Sequence, residues 1–540
     1  MTGRATLDGL LRRAAEIRPE AAALVDAANR PQVTGGEARR FDWASLDKTV
    51  DALAARLRAL GFPTDSVVAT QFPLGSDGIV ALFAIIRAGL IAAPLPLGWG
   101  RRETVAHLQR LGARAILTAG RAGPIDCADM MRFAAAETFS VRFVMSIGAP
   151  VLDGVVPLDD VFDHAGTPEP IETPRPGNAA DHIALVTVDT TAEGHLAVPR
   201  SHNEIIAGGL AAFMAGVPDE TAIFAATLAL DAFAGIALQI VPWLMCGGTL
   251  VAHPPFAPRV FADDLAKDRV THAVLPVAAA ASLFEAAPKA RPALRHLTLL
   301  ARRAADIAAA HEVRPEAVAV DVFFGAGEAG LTRTLSPGAA GGVPLGPDTF
   351  ATGAGQAPVL VETRAGPAGT LQLRGAMVPA FAFPPGAERG LPPFWSTDAE
   401  GFFDTGLPVA TDKAARALIV GDGPQGVIAI GGRRFAEAEI RAAYVEAGGE
   451  IAPVVRADPV LGQRVAGIVG DGRAIVGLAG RLQDTGLTPL GVPGGQRHHA
   501  GPLPFEDTRP PDLQPARDPL TETQAALEQL LTMARAATAG

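Results

Sequence analysis

Between Asp181 and Glu204 the chain reads DHIALVTVDTTAEGHLAVPRSHNE, and this stretch carries residue types that grip phosphate. Thr190 and Thr191 offer hydroxyls, Gly194 permits close approach of the backbone, and consecutive N–H groups in such a loop hold anions. The lysine that usually adds charge is missing, with His195 or Leu196 in the corresponding part of the stretch. Ile183 to Val188 has strand character, Asp189 to Gly194 is small and polar, and an amphipathic pattern resumes after Ser201, His202 and Asn203. The expected layout is strand, loop, helix, and a plain polar turn would have the same composition. A second candidate group is VDVFFGAGE, residues 320–328, where Phe324 can stack on a ring and Glu328 can ligate a hard cation. A core phenylalanine and a turn glutamate are the alternative there.

The elements that must position these residues alternate between the strand and helix periods. Leu7, Leu10, Leu11, Ala14 and Ile17 recur at helical spacing and stop at Pro19. A second helix is predicted over 45–60, with Gly61 as terminator. Strand 66–71, helix 77–87, strand 90–94, helix 104–111 and strand 115–118 follow, and this alternation argues for right-handed crossovers and mostly parallel sheets. A second series is expected after the loop: helix 204–215, an apolar helix from Asp231, strand 249–252, helix 260–267, strand 272–275 and helix 277–285. The apolar run 221–253 is long enough to span a bilayer, but Asp231, Gln239, Pro242, Gly247 and Gly248 interrupt it. It reads as a buried helix ending near Trp243, then a glycine turn and a strand.

These phrases together resemble the adenylate-forming superfamily of acyl-CoA and aryl-acid synthetases and peptide-synthetase adenylation domains. Its phosphate loop reads T-S-G-T-T-G-x-P-K, followed by S/T-H-x-N. Thr187, Thr190, Thr191, Ser201 and His202 fall on that pattern, and Val198 to Asn203 is similar to the aryl-acid branch. Phe324, Gly325 and Glu328 match Y-G-x-T-E, with Gly327 replacing the threonine. The resemblance implies ATP or AMP as cofactor, stacked on Phe324, with magnesium held by Glu328 and Thr191. It implies a small carboxylic acid as substrate, and CoA or a phosphopantetheine-bearing acyl carrier protein as acceptor. The fold implied is α/β: a large N-terminal domain of two helix-covered, mostly parallel sheets plus a small β-barrel, with a small α+β C-terminal cap domain. The boundaries expected are 1–419, 420–505 and a tail 506–540 with a short helix at 521–537; a Gly/Pro-dense hinge lies at 418–427.

The departures bear on activity. Val188-Asp189 replaces Ser-Gly in the loop, Ala192 replaces a glycine, and Leu407 replaces the aspartate of D-G-W-F-x-T-G-D that accepts from the ribose. Asp404 and Asp412 are the candidates to replace it by a different path. The histidine before Phe233 is replaced around Asp231, and Asp422 stands where the hinge arginine belongs. The closing L-P-x-T-x-x-G-K keeps Leu503-Pro504 but has Pro510 for its lysine. Forming an anhydride requires cations and oriented N–H donors on the phosphates. Arg200, Arg374, Arg433 and Arg434 are the candidates to replace them, with His202 and Glu328 as the remaining catalytic candidates. Two functions stay open: an acid–thiol ligase with altered or reduced activity, and a non-catalytic relative that binds an acid, a nucleotide or a carrier.

Composition narrows the remaining classes. The 540 residues are 49% apolar, enough for several cores. Net charge is −11 with the 46 Lys and Arg scattered, so no basic stripe matches a nucleic-acid backbone. Cys127 and Cys246 are the two cysteines, without metal-ligand or disulfide spacing. The N-terminus has arginines within it rather than an uninterrupted apolar core, and the expected location is the cytoplasm.

Overall fold

The computed structural model describes residues 3–163, 173, 175–254, 257–280, 293–313, 315–335, 342–349, 359–383, 395–430, 433–448, 451–458, 462–469 and 477–487. Helix Leu7–Ile17 starts where the Thr6 side chain accepts from the Gly9 N–H, and it buries Leu7, Leu11 and Ala14. Helix Trp43–Ala59 has a capping box of Asp42 and Ser45, and the positive φ of Gly61 lies just past its end. The Trp43 ring stacks on Trp243 with centroids 4.9 Å apart, joining the N-terminal helices to the apolar segment.

Among the described residues, the first sheet has seven strands. In order they are Val156–Pro157, Phe143–Ile147, Ala115–Ala119, Val67–Gln71, Ile91–Pro94, Ile183–Thr191 and Gly194–Ser201. All pairs are parallel except the last. The second has eight: Leu331–Arg333, Ala319–Gly325, His296–Ala301, His272–Pro276, Ile223–Ala226, Thr249–Ala252, Ala22–Asp26 and Arg40–Asp42. Its two outermost pairs are antiparallel and the rest parallel. Both sheets read as continuous apolar runs because helices cover them. Strand 22–26 was not visible in the sequence: it is short and acquires its partners from residues far away, such as Leu24 opposite Leu250.

The segment 221–253 folds as two strands enclosing a broken helix. Phe233–Gly235 leads through a π-turn at Ile236–Ile240 into Val241–Cys246, where Pro242 has no N–H to donate. The helix ends at Cys246, three residues beyond the expected Trp243, and Gly247 with φ +69° caps it. Among the described residues no helix is long and apolar enough to cross a membrane. Of the helix expected at 277–285, residues 277–280 are helical and the rest fall outside the described residues.

The third sheet is antiparallel, with six described strands in the order Val343–Pro344, Ala417–Val420, Phe403–Asp412, Thr370–Arg374, Val359–Ala365 and Gly346–Thr349. Its first and last strands are separated in the chain only by Leu345, and consecutive Cα atoms lie about 3.8 Å apart, so the sheet must curl until its edges meet. The Thr363 hydroxyl donates to the Pro344 carbonyl across that seam. This curled antiparallel sheet is the part of the fold that corresponds to the small β-barrel implied by the resemblance.

The C-terminal part consists of hairpin Val427–Ile430 with Arg433–Ala436, helix Glu437–Glu446, the paired strands Ile451–Asp458 and Gly462–Val469, and helix Leu478–Asp484. Ile428, Phe435, Ile440 and Tyr444 join one buried cluster with Trp99, Leu108 and Val186 of the first sheet and its helices. The closing motif from Leu503 to Pro510 and the helix expected at 521–537 lie outside the described residues.

Candidate active site

The stretch read as strand, loop and helix is a hairpin followed by a helix. Strand Ile183–Thr191 pairs antiparallel with Gly194–Ser201, Thr190 opposite His195 and Thr191 opposite Gly194, so the turn shrinks to Ala192 and Glu193. The polar look of 189–191 hid this pairing, which is driven by burial of Leu196, Ala197 and Val198 on the return strand. Gly194 has φ +121°, a conformation that L side chains rarely adopt. Helix His202–Gly216 then begins with a Ser201–Glu204 capping box.

Asp189 lies at the centre of the site. Its Oδ1 accepts from Thr190 N at 2.8 Å and its Oδ2 from Glu328 N at 2.8 Å. Arg434 Nη1, from the C-terminal hairpin, stands 3.1 Å and 3.2 Å from the same two oxygens. Glu328 Oε2 accepts from Phe233 N at 2.7 Å, while Oε1 faces Arg302 Nη1 at 4.0 Å. Burial pushes the Glu328 carboxyl above its ordinary range, Arg302 opposes the shift and Asp189 adds to it. Arg302 itself is drawn below the usual guanidinium range by burial, with Glu328 opposing and Arg433 adding. Arg433 is paired with the buried Asp231. Three arginines and three carboxylates thus interlock where strands of both parallel sheets end, the edge at which open α/β sheets bind ligands.

Arg200 is fully buried and committed to the backbone. It donates to the carbonyls of Met377, Glu328 and Ala329, the last at 3.2 Å, and its guanidinium lies 3.5 Å above the Phe233 ring. Burial pulls its pKa down to about 10, against the attraction of Glu204, Glu328 and Asp189. Arg374 pairs with Glu362 at 2.8 Å.

Beside the cluster lies a cavity of about 370 Å³ lined by Arg302, Phe324, Leu407, Asp422, Val455 and Arg456, among others. Phe324 and Leu407 border that cavity but are buried, 0% and 2% exposed, so the ring is not presented to a ligand as arranged here, and Leu407 stands where the resemblance implies an acid. Asp404 is not on that wall: its carboxylate is exposed and accepts from Thr370 Oγ1 at 2.7 Å, Gln372 Nε2 at 3.2 Å and Gly406 N at 2.9 Å. Gly325 is buried at the end of its strand, and the buried Thr187 hydroxyl has no partner among the described residues. Thr191 spends its hydroxyl in its own turn, on Glu193 Oε2 at 2.8 Å and Gly194 O at 3.2 Å. That donor set, with Glu328 facing a guanidinium, does not fit a divalent cation as arranged here.

His202 is held apart from the cluster. Its Nδ1 accepts from Leu7 N at 3.1 Å, and it lines a separate cavity with Asp8, Arg12 and Arg175. Burial, with Arg175 and His182 adding, pulls its pKa down to about 4. His195 is buried, its Nδ1 3.2 Å from the Thr190 hydroxyl and its Nε2 3.5 Å from Glu439 Oε2. Burial lowers its pKa while Glu439 opposes. Sequence reasoning missed Arg302, Asp422 and Arg456 as site residues. A signal existed for the first: adjacent arginines follow directly on the apolar run 296–301.

The fold matches solved structures of ligases and synthetases. Apo MbtA of Mycobacterium smegmatis aligns with a TM-score of 0.63 at 21% identity, over 91% of this chain and 90% of that one. The amide bond synthetase McbA of Marinactinospora thermotolerans gives 0.69 at 19% identity, over 90% and 94%. The o-succinylbenzoate CoA synthetase of Bacillus subtilis gives 0.66 at 16%, over 90% and 93%. By sequence the chain is 32% identical over 202 residues to a salicyl-AMP ligase / salicyl-S-ArCP synthetase of Mycobacterium tuberculosis. That match takes in 37% of this chain and 34% of the relative, so it spans about a third of the relative's length. The model of the AMP-binding enzyme family matches residues 11–356, which include the hairpin, Phe324 and Glu328, and with that span this chain belongs to the AMP-binding enzymes.

Proposed function

We propose that this chain is an AMP-forming acid ligase of reduced activity. In the proposed reaction an acyl or aryl carboxylate attacks the α-phosphorus of ATP and expels pyrophosphate. A thiol, CoA or the phosphopantetheine of a carrier protein, then displaces AMP from the acyl-adenylate. The likeness to a salicyl-AMP ligase supports an aryl acid and a carrier-borne thiol. The observation that carries the reduced activity is the commitment of the arginines. Arg434 is paired with Asp189, Arg433 with Asp231, and Arg200 with three carbonyls, so none of them stands ready for a departing pyrophosphate. Arg456, exposed on the cavity wall, is the cation best placed to reach a nucleotide.

The second reading is a non-catalytic relative that binds an acid, a nucleotide or a carrier, and the placement of Leu407 beside Phe324 favours it. A ribose set against Leu407 loses a charged acceptor, at about 1–3 kcal/mol. Acid-dependent exchange of labelled pyrophosphate into ATP separates the two readings, since it reports the first half-reaction without the thiol. The ligase reading expects slow exchange with one class of acid, several orders of magnitude below an intact relative, because each lost charged contact costs about a hundredfold. Exchange lost on Arg456→Ala would support the assigned cation. No exchange with any fatty or aryl acid favours the non-catalytic reading, and fast exchange overturns the reduced activity.

A further inference from the structure

We propose that the Asp189 carboxylate is a built-in anion that takes the place of a ligand's phosphoryl group, so that the cleft discriminates against phosphate and in favour of an uncharged nucleoside. The inference rests on the reading of this cleft as a nucleotide site. Two donors from distant parts of the chain, Glu328 N and Arg434 Nη1, converge on this one side chain, together with the N–H of its neighbour Thr190. Backbone N–H groups and a guanidinium aimed at a single point are the equipment of an oxyanion site. Here they are saturated by an acid that the chain itself carries.

Space and sequence agree with the charge. A Cβ built on Gly327, which has φ +61°, falls 2.1 Å from Asp189 Oδ2 and 2.4 Å from Arg434 Nη1. Any side chain at 327 therefore collides with the ion pair. The adenylate-forming pattern has a threonine at 327 and a glycine at 189, and this chain has the reverse distribution of bulk. One side chain has been withdrawn from the space and another introduced into it, with a full negative charge. The cavity lined by the exposed Asp422 and Arg456 stays open beside the plugged cradle, and Arg302 lines it while facing Glu328. A neutral ring system can enter that cavity without displacing Asp189. A phosphate carried into the cradle must break the Asp189–Arg434 contact, which also holds the C-terminal part onto the hairpin.

Calorimetry on the full chain with adenosine, AMP and inorganic pyrophosphate tests this, using Asp189→Gly, which removes bulk and charge, and Asp189→Asn, which removes charge alone. The wild type is expected to bind AMP no tighter than adenosine. Asp189→Gly is expected to raise the preference for AMP over adenosine by about tenfold or more and to gain pyrophosphate binding, with Asp189→Asn intermediate. Adding Arg434→Gln to Asp189→Gly should abolish the gain, which a purely structural role for Asp189 does not predict. Circular dichroism and urea midpoints establish that each variant folds. A wild type that already prefers AMP by about tenfold, or an Asp189→Gly variant that folds but shows no gain for AMP or pyrophosphate, overturns the proposal. The adenosine titration separates the two failures. Adenosine binding with an unchanged ratio removes the plug alone, whereas no binding of adenosine or AMP by any variant also removes the nucleotide reading.

Discussion

Arg200 shows how far a cation's role depends on its surroundings. A guanidinium in a phosphate loop invites a catalytic reading, yet this one is sealed under Phe233 and satisfied by carbonyls on two other segments. Its removal leaves several buried acceptors unpaired, at about 1–3 kcal/mol each. Arg200→Met is therefore expected to lower unfolding stability by roughly 3–5 kcal/mol in urea titrations. A loss under about 1 kcal/mol would show that the carbonyls find water instead. His202 makes a second residue-scale prediction. Its folded pKa of about 4 lies below the ordinary imidazole value of 6.5, so the unfolded chain takes up a proton first as the pH falls. Stability is unaffected by this group above pH 6.5 and erodes down to about pH 4, by roughly 3 kcal/mol in total. His202→Asn should flatten the stability profile between about pH 7 and about pH 5, and an unchanged slope would exclude His202 as its source.

At the scale of elements, the packing of helix His202–Gly216 depends on two glycines. A Cβ at Gly208 falls 2.3 Å from Phe233 Cζ, and one at Gly209 falls 2.2 Å from Val241 Cβ. These contacts seat the helix against the π-turned segment whose Phe233 N–H holds Glu328. Gly208→Ala and Gly209→Ala should each destabilise by about 1–3 kcal/mol through overpacking, despite the better helix propensity of alanine. A rise in thermal midpoint for either would mean the segments separate more easily than their contacts suggest. The hairpin at Ala192–Glu193 shows the same dependence on partners. Its strands are set by burial of the return strand against the sheet, and the polar residues at its tip conceal it in the sequence.

For the whole molecule, the C-terminal part is joined to the rest by Gly421–Gly426 and by contacts of two kinds. The first kind is the ion pairs Arg434–Asp189, Arg433–Asp231 and Arg102–Glu446, and the second is the buried cluster that Tyr444, Ile440 and Phe435 join. We propose that residues 420 onward form a cap unit with 418–426 as its hinge. Limited proteolysis should cut first within the described chain at Asp422–Gln425, where three of four residues are exposed, and leave 183–330 intact. Cutting inside 183–330 before the hinge would argue against the boundary. High salt should hasten the hinge cut if the ion pairs hold the cap, since screening weakens partly exposed pairs most.

The sequence by itself determined the alternation of strand and helix over 66–118 and 249–275, because periodic patterns and glycine stops are local properties of the chain, whereas strands Phe143–Ile147, Ile223–Ala226 and His296–Ala301 were not read from it. It also carried the family, through Thr190, Thr191, Ser201, His202, Phe324 and Glu328, each in a recognisable phrase. Strand 22–26 escaped it, and so did the hairpin at 189–194, since pairing energy comes from partners that no local window contains. Which cation serves which acid was decided only by the tertiary structure. Arg434 and Asp189 are 245 residues apart in the chain, and Glu328 lies 139 from Asp189. Charge interactions act through distance and dielectric rather than sequence separation. Of the arginines that a linear reading offers as substitutes for missing lysines, Arg374, Arg433 and Arg434 prove, once folded, to be paired with acids of the same chain, and Arg200 is taken by backbone carbonyls.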